Sequence, residues 1–154
     1  MKIVKYMRKF VNFAFVVMFF VSCSKDTNAT KQHYLSVTPN NISGVWSLES
    51  YDNGVALEDG SFLYIDFNRA ERTFTSYDNL ESMEMRKLTG RYDVVTDASA
   101  IIRGAYHYGR GDWEHDYYVR DLTSNRMVWV ATDDENIVQV YVRAVLPEEW
   151  LSEE

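Results

Sequence analysis

Few side chains in this 154-residue sequence are placed to do chemistry, and they are scattered. Nucleophilic catalysis needs a serine, cysteine or threonine beside a positioned base, and no Gly-x-Ser-x-Gly turn occurs to present one. His33, His107 and His115 do not share the spacing of a metal-binding set. Asp133 and Asp134 fall in a stretch that reads as a turn, where water solvates paired carboxylates. Arg110-Gly111-Asp112 is the tripeptide that integrins recognise, but Gly and Asp are also what a tight hairpin turn requires of its backbone. No enzymatic activity, cofactor or metal is expected from these residues. The reactive group with an assignable role is Cys23, the sole cysteine.

Cys23 ends the segment "MKIVKYMRKFVNFAFVVMFFVSC". Lys2, Lys5, Arg8 and Lys9 form a basic start, and Phe13 to Val21 an apolar run. The run is shorter than the roughly 20 apolar residues a spanning helix needs. Apolar on every side, it also lacks the polar face of a surface helix. A basic start, a short apolar middle and a small residue before the cut are the parts of a secretory signal, here residues 1–22. "FVSC" resembles a bacterial lipobox, with Val21-Ser22 where Ala-Gly or Ser-Gly is often seen. That resemblance implies acylation of Cys23, whose thiol can carry a diacylglycerol; several acyl chains hold a protein on a membrane far better than one. The expected location is the bacterial cell envelope, at the outer membrane. Lys25-Asp26 partly resembles the charged surface-export signal of Bacteroides-type lipoproteins, which leaves the leaflet open.

Charge and cysteine usage restrict partners further. Removing the four leader bases leaves 12 Lys+Arg against 23 Asp+Glu, a net charge of −11. Such a body is repelled by nucleic acid and by anionic membranes, so membrane contact is expected through the lipid alone. With no second cysteine, the fold is stabilised by its core unaided. Residues 23–41, "CSKDTNATKQHYLSVTPNN", read as a polar tether behind the anchor.

The remaining hundred or so residues suffice for one domain. Short runs rich in aromatic and β-branched residues alternate with Asn53-Gly54, Asp59-Gly60, Asp78-Asn79, Asp97, Gly109–Asp112, Ser124-Asn125 and Asp133–Asn136. That spacing of turn signals indicates an all-β, antiparallel meander closed as a sandwich or barrel. "NLESMEMRKL" fits either strand or short helix. A hairpin centred on Arg110-Gly111 pairs Tyr108 with Trp113, Tyr106 with His115, Gly104 with Tyr117 and Ile102 with Val119 on one face. His107 then faces Glu114 on the other. A second hairpin around Thr123-Ser124 sets Val128 beside Val119 and Val130 beside Tyr117. A third adds Val138 and Val140 to the same inner face, which leaves Trp129, Tyr118, Met127 and Tyr141 outside.

"ISGVWSLESYDNG", with Gly44-x-Trp46, resembles the opening strand of lipocalin-like domains. "LTGRYDVV", "WEHDYYVRDLTSNRMVWV" and "IVQVYVRAV" resemble later strands of small lipocalin-like lipoproteins of Bacteroides-type bacteria. The resemblance covers residues 42–146, leaves 147–154 as an acidic tail, and implies an up-and-down barrel of about eight strands. It also implies that Trp46 lies at the closed end, in cation–π contact with Arg143.

Two surfaces could then bind. The inward set Tyr106, Tyr108, Trp113, His115 and Tyr117 suits a small apolar or amphipathic ligand, and suits a filled core equally well. The outward Tyr118, Trp129 and Tyr141 could form a platform for a protein or glycan, unless the tail residue Trp150 covers it. The expected function is that of a membrane-anchored, non-catalytic binding lipoprotein, with a structural or adaptor role as the alternative. Replacement Cys23→Ala is expected to abolish incorporation of labelled fatty acid and to release the chain from the membrane fraction. Persistence of both would refute acylation at this residue.

Overall fold

Closure of a single antiparallel sheet organises the structure, a computed structural model that describes residues 32–82 and 84–151. Cys23, the leader 1–22 and the first part of the tether lie outside the described residues. The strands are β1 (Gly44–Tyr51), β2 (Val55–Ala56), β3 (Leu63–Asn68), β4 (Thr73–Asp78), β5 (Arg86–Thr96), β6 (Ala100–Tyr106), β7 (Tyr117–Arg120), β8 (Arg126–Ala131) and β9 (Val138–Arg143). Each pairs with its neighbour in sequence, except that β2 is a two-residue flap on β1 and β3 pairs with β1 directly. β1 also pairs with β9, so eight strands close into a barrel. The all-β, up-and-down architecture is the one expected. The undecided stretch after Asp78 is a turn over Asn79–Ser82, and β5 begins at Arg86.

Period-two alternation sends one side chain in two inward. Trp46 and Leu48, Ile65 and Phe67, Tyr117 and Val119, and Met127 and Trp129 are buried pairs of this kind on β1, β3, β7 and β8. The core residues of the described chain lie between Leu35 and Leu146.

One end of the barrel is plugged. Thr38 caps a single helical turn, α1 (Pro39–Ile42), its hydroxyl accepting from the Asn41 amide at 3.3 Å, and Ile42 is fully buried. The Trp46 indole donates to the Ile42 carbonyl at 2.8 Å. The Arg143 guanidinium lies 3.7 Å from the centre of the Trp46 ring, the contact that the family resemblance implied. Arg143 also donates to the carbonyls of Ser43 at 2.5 Å and Asn41 at 3.1 Å, and burial lowers its pKa. The tether is shorter than its composition suggests. Leu35 and Val37 pack against the core, and the Leu35 amide donates to the Leu122 carbonyl at 2.7 Å. Two apolar residues in a polar stretch are enough to fasten it.

The hairpin registers differ from the sequence reading in an instructive way. Between β6 and β7, Ile102 pairs with Tyr117 instead of Val119, and Ala105 bridges Asp112. The displacement is two residues at Ile102 and four at Ala105, even in both places, because Tyr108, Gly109 and Gly111 all adopt left-handed backbone and lengthen the turn. An even shift preserves faces, so Ile102, Tyr106, Trp113 and Tyr117 remain inward. Tyr108 does not: held in the turn at φ 62°, it is 94% exposed. His107 hydrogen-bonds Thr89 in place of Glu114, at 3.2 Å.

Between β7 and β8 the displacement is one residue, with Val119 opposite Trp129. Leu122 turns into the core, and the Thr123 hydroxyl accepts from the amides of Asn125 and Arg126, which closes a longer loop. An odd shift exchanges the faces of β8 and, through correct β8–β9 pairing, those of β9. Trp129 and Tyr141 are therefore inside, 2% and 1% exposed, and Val128, Val138 and Val140 point outward. The outer platform expected from Tyr118, Trp129 and Tyr141 is not formed; Tyr118 remains outside, with the Arg120 guanidinium over its ring. Trp150, on the short tail helix α2 (Glu148–Leu151), covers a different outer patch. It stacks on Tyr77 at 5.7 Å and packs against Phe62 and Tyr64.

This register is testable. Met127→Asp, which buries an unpaired charge, is expected to lower unfolding stability by about 3 kcal/mol or more. Val128→Asp is expected to cost about 1 kcal/mol or less. Equal losses in urea titrations would mean that the faces of β8 are mixed.

Candidate functional site

Aromatic rings fill the middle of the barrel around Trp129. The Trp129 ring centre is 4.7 Å from Tyr141, 5.2 Å from Tyr117, 5.4 Å from Trp113 and 6.2 Å from Phe67. Phe74 continues the cluster against Trp113 at 5.1 Å and Tyr106 at 5.6 Å. So many rings fit because two strand positions carry no side chain. The Trp113 ring lies on Gly104 and the Phe74 ring on Gly90, and a Cβ at either glycine would overlap the ring above it.

Above these rings the barrel is hollow. An interior cavity of about 270 Å³ runs from Trp129, Ile65 and Phe74 up to Leu80, Glu114 and Gln139. Leu48, Leu80, Glu114, Tyr117 and Gln139 also line a wider mouth of about 530 Å³, so the two spaces meet at these residues. The barrel thus has a plugged end and an open end.

The upper wall is polar. Asp78, 3% exposed, faces Arg86 across β4 and β5 and accepts from its Nη2 at 2.6 Å and its Nε at 3.1 Å. The remaining terminal nitrogen of Arg86 engages Glu81. These bonds raise the Arg86 pKa, the hydrogen bond it donates to Asp78 most of all. Gln139 accepts from the Tyr141 hydroxyl at 2.9 Å. Burial pushes the phenols of Tyr106 and Tyr141 upward and that of Tyr117 up to about 12. All three are therefore neutral at ordinary pH, able to donate or accept. The Trp129 Nε1–H is buried with no hydrogen-bond partner, in a side chain that lines the cavity. An orphaned buried donor costs about 1–3 kcal/mol.

The inward set read from the sequence is thus partly assembled here. Tyr106, Trp113 and Tyr117 line the cavity and His115 lines the mouth, where its Nδ1 contacts Asp133 at 2.8 Å. Tyr108 is not part of it. Trp129 and Tyr141, assigned outside by a one-residue error, are central to it. Leu48, Phe74, Asp78, Arg86 and Gln139 were not singled out. The signal for Asp78 and Arg86 was their opposite charge at facing ends of two strands joined by a turn. Among the described residues, no three His, Cys, Asp or Glu side chains come together as metal ligands.

The sequence matches no protein-family model and no curated protein. Among solved structures, it is similar to a lipocalin-like protein from Bacteroides uniformis ATCC 8492, with 15% identity and a TM-score of 0.50. The match covers 68% of this chain and 99% of that one. The fold is lipocalin-like, as Gly44-x-Trp46 and the meander implied.

The buried phenols set an alkaline limit. A tyrosine whose folded pKa is raised stabilises the fold in full below its unfolded value near 10, and that contribution is lost as pH climbs towards the folded value. For Tyr117 the window runs from about 10 to about 12. Stability is expected to fall there by about 1.4 kcal/mol per pH unit for each such group. Tyr117→Phe should make the fall in urea midpoints shallower; an unchanged slope would refute the assignment.

Proposed function

We propose that this protein binds one small apolar or amphipathic molecule inside its barrel and has no catalytic role. The observation that carries this reading is the hollow itself, which is open at the mouth and walled by rings. A folded core gains stability by filling such a space, since each unfilled volume forfeits contacts on its walls. A space that is retained, polar at the rim and apolar within, suits a ligand that is desolvated on entry and oriented by Tyr106, Tyr117 or Gln139. In the same proposal, Cys23 is acylated and holds the barrel at the bacterial envelope, at the outer membrane. The support is the basic, apolar and lipobox-like order of residues 1–23.

Native mass spectrometry of residues 24–154, purified gently from the host, is expected to show an adduct that leaves on denaturation. Gln139→Trp, which fills the junction between cavity and mouth, should remain folded and lose the adduct. A wild-type barrel with no adduct and no uptake of a neutral apolar dye such as Nile red would overturn the proposal.

A further inference from the structure

The charges around the opening are lopsided. Asp52, Glu58 and Glu114 line the mouth, and Asp78, Glu81 and again Glu114 line the cavity. Arg86 is the one lysine or arginine among these lining residues, and both of its partners are carboxylates, Asp78 and Glu81. A ligand carboxylate entering here would have to displace one of them and pass three further acidic groups. His115 offers no free cation either, because its Nδ1 is held against Asp133. Asp52, Glu58 and Glu114 have no ion-pair partner among the described residues.

Below this rim lies a space built for an uncharged body. Tyr117, Trp113 and Phe74 present ring surface to it. Aromatic faces in a desolvated site also attract cations, whereas they repel anions.

We propose that the ligand is a cationic amphiphile, a molecule with an ammonium head and an apolar body. Its head meets Glu114, Glu58 and Asp52 at the mouth while its body enters the ring-lined cavity. A fatty acid of the same size is rejected by the same charges. This inference rests on the proposed ligand-binding function and adds the sign of the ligand's charge to it.

The test compares three probes with one tail, decylammonium, decanol and decanoate, below their micelle concentrations at neutral pH and low salt. The chain used is residues 24–154, which retains the entire described core. Binding is read by calorimetry and by displacement of Nile red. Decylammonium is expected to bind at least about tenfold more tightly than decanol, and decanoate more weakly than either. Added salt should weaken decylammonium and leave decanol unchanged. The variant Asp52→Asn/Glu58→Gln changes two exposed mouth residues that do not line the cavity, and Asn tolerates the left-handed backbone of Asp52. It should reduce the decylammonium preference about tenfold without altering decanol. If decanol binds but decanoate matches or exceeds decylammonium, the charge inference fails and the barrel site stands. If none of the three binds, both fall.

Discussion

Barrel closure depends on the meeting of β1 and β9, and that meeting is clamped by Arg143. Its guanidinium faces Trp46 across the seam, lies over the indole and donates to two carbonyls that lead into β1. Three features are joined by this one side chain: the first strand, the last strand and the helical turn that plugs the end. A meander that failed here would be an open sheet with two long unpaired edges, which invites association with other chains. With no disulfide available, the cation–π contact and its hydrogen bonds do the fastening that a covalent link does in many small secreted domains.

Closure at one end allows the other to be incomplete. The strongest packing lies in the lower and middle barrel, where Gly90 and Gly104 make room for Phe74 and Trp113 and where Trp129 touches four other rings. Towards the mouth, the walls change from rings to Asp78, Arg86 and Gln139 and the interior empties. Asp78 and Arg86 satisfy each other, so polar groups can line an enclosed space without the penalty of an unpaired buried charge. Stability and hollowness are thus assigned to different levels of one barrel.

Architecture was legible in the sequence because it rests on turns and alternation, which are local. The spacing of breakers led to the right fold class, and the resemblance to lipocalin-like domains, carried by Gly44-x-Trp46 and the later strands, implied the contact of Trp46 with Arg143. Register was legible only where one face was polar. Along "GAYHYGRGDWEHDYYV", charged and aromatic residues alternate, and an even displacement left the inward set of Tyr106, Trp113 and Tyr117 intact. Along "RMVWVA" both faces carry apolar residues, and along "VQVYVR" the three valines face outward while Gln139, Tyr141 and Arg143 face in, so alternation pointed to Val128 and not to Trp129. The decision was made by Leu122 and the Thr123 hydroxyl, which lengthen the turn by one residue through contacts that pattern does not encode. The cavity itself was illegible for a related reason. Whether rings fill a barrel or line it depends on where glycines let them lie, and Gly104 is matched with Trp113 only once the lengthened hairpin has formed.

The wall between β6 and β7 is fastened differently from its neighbours. β5 and β6 are paired from Gly90–Tyr106 to Thr96–Ala100, whereas β7 joins β6 only at Ile101–Tyr118 and Ile102–Tyr117, with one bridge at Ala105–Asp112. In a hoop of staves, this joint is laddered near the base, stapled at the hairpin tip by the Tyr106 and Trp113 amides donating to the Gly111 and Gly104 carbonyls, and unpaired between the two. Spreading it there breaks few backbone hydrogen bonds, while spreading any fully laddered joint breaks many. The seam in this wall is therefore the short arc Glu114–Asp116, while Trp113, whose amide donates to the Gly104 carbonyl at 2.8 Å, is tied to β6.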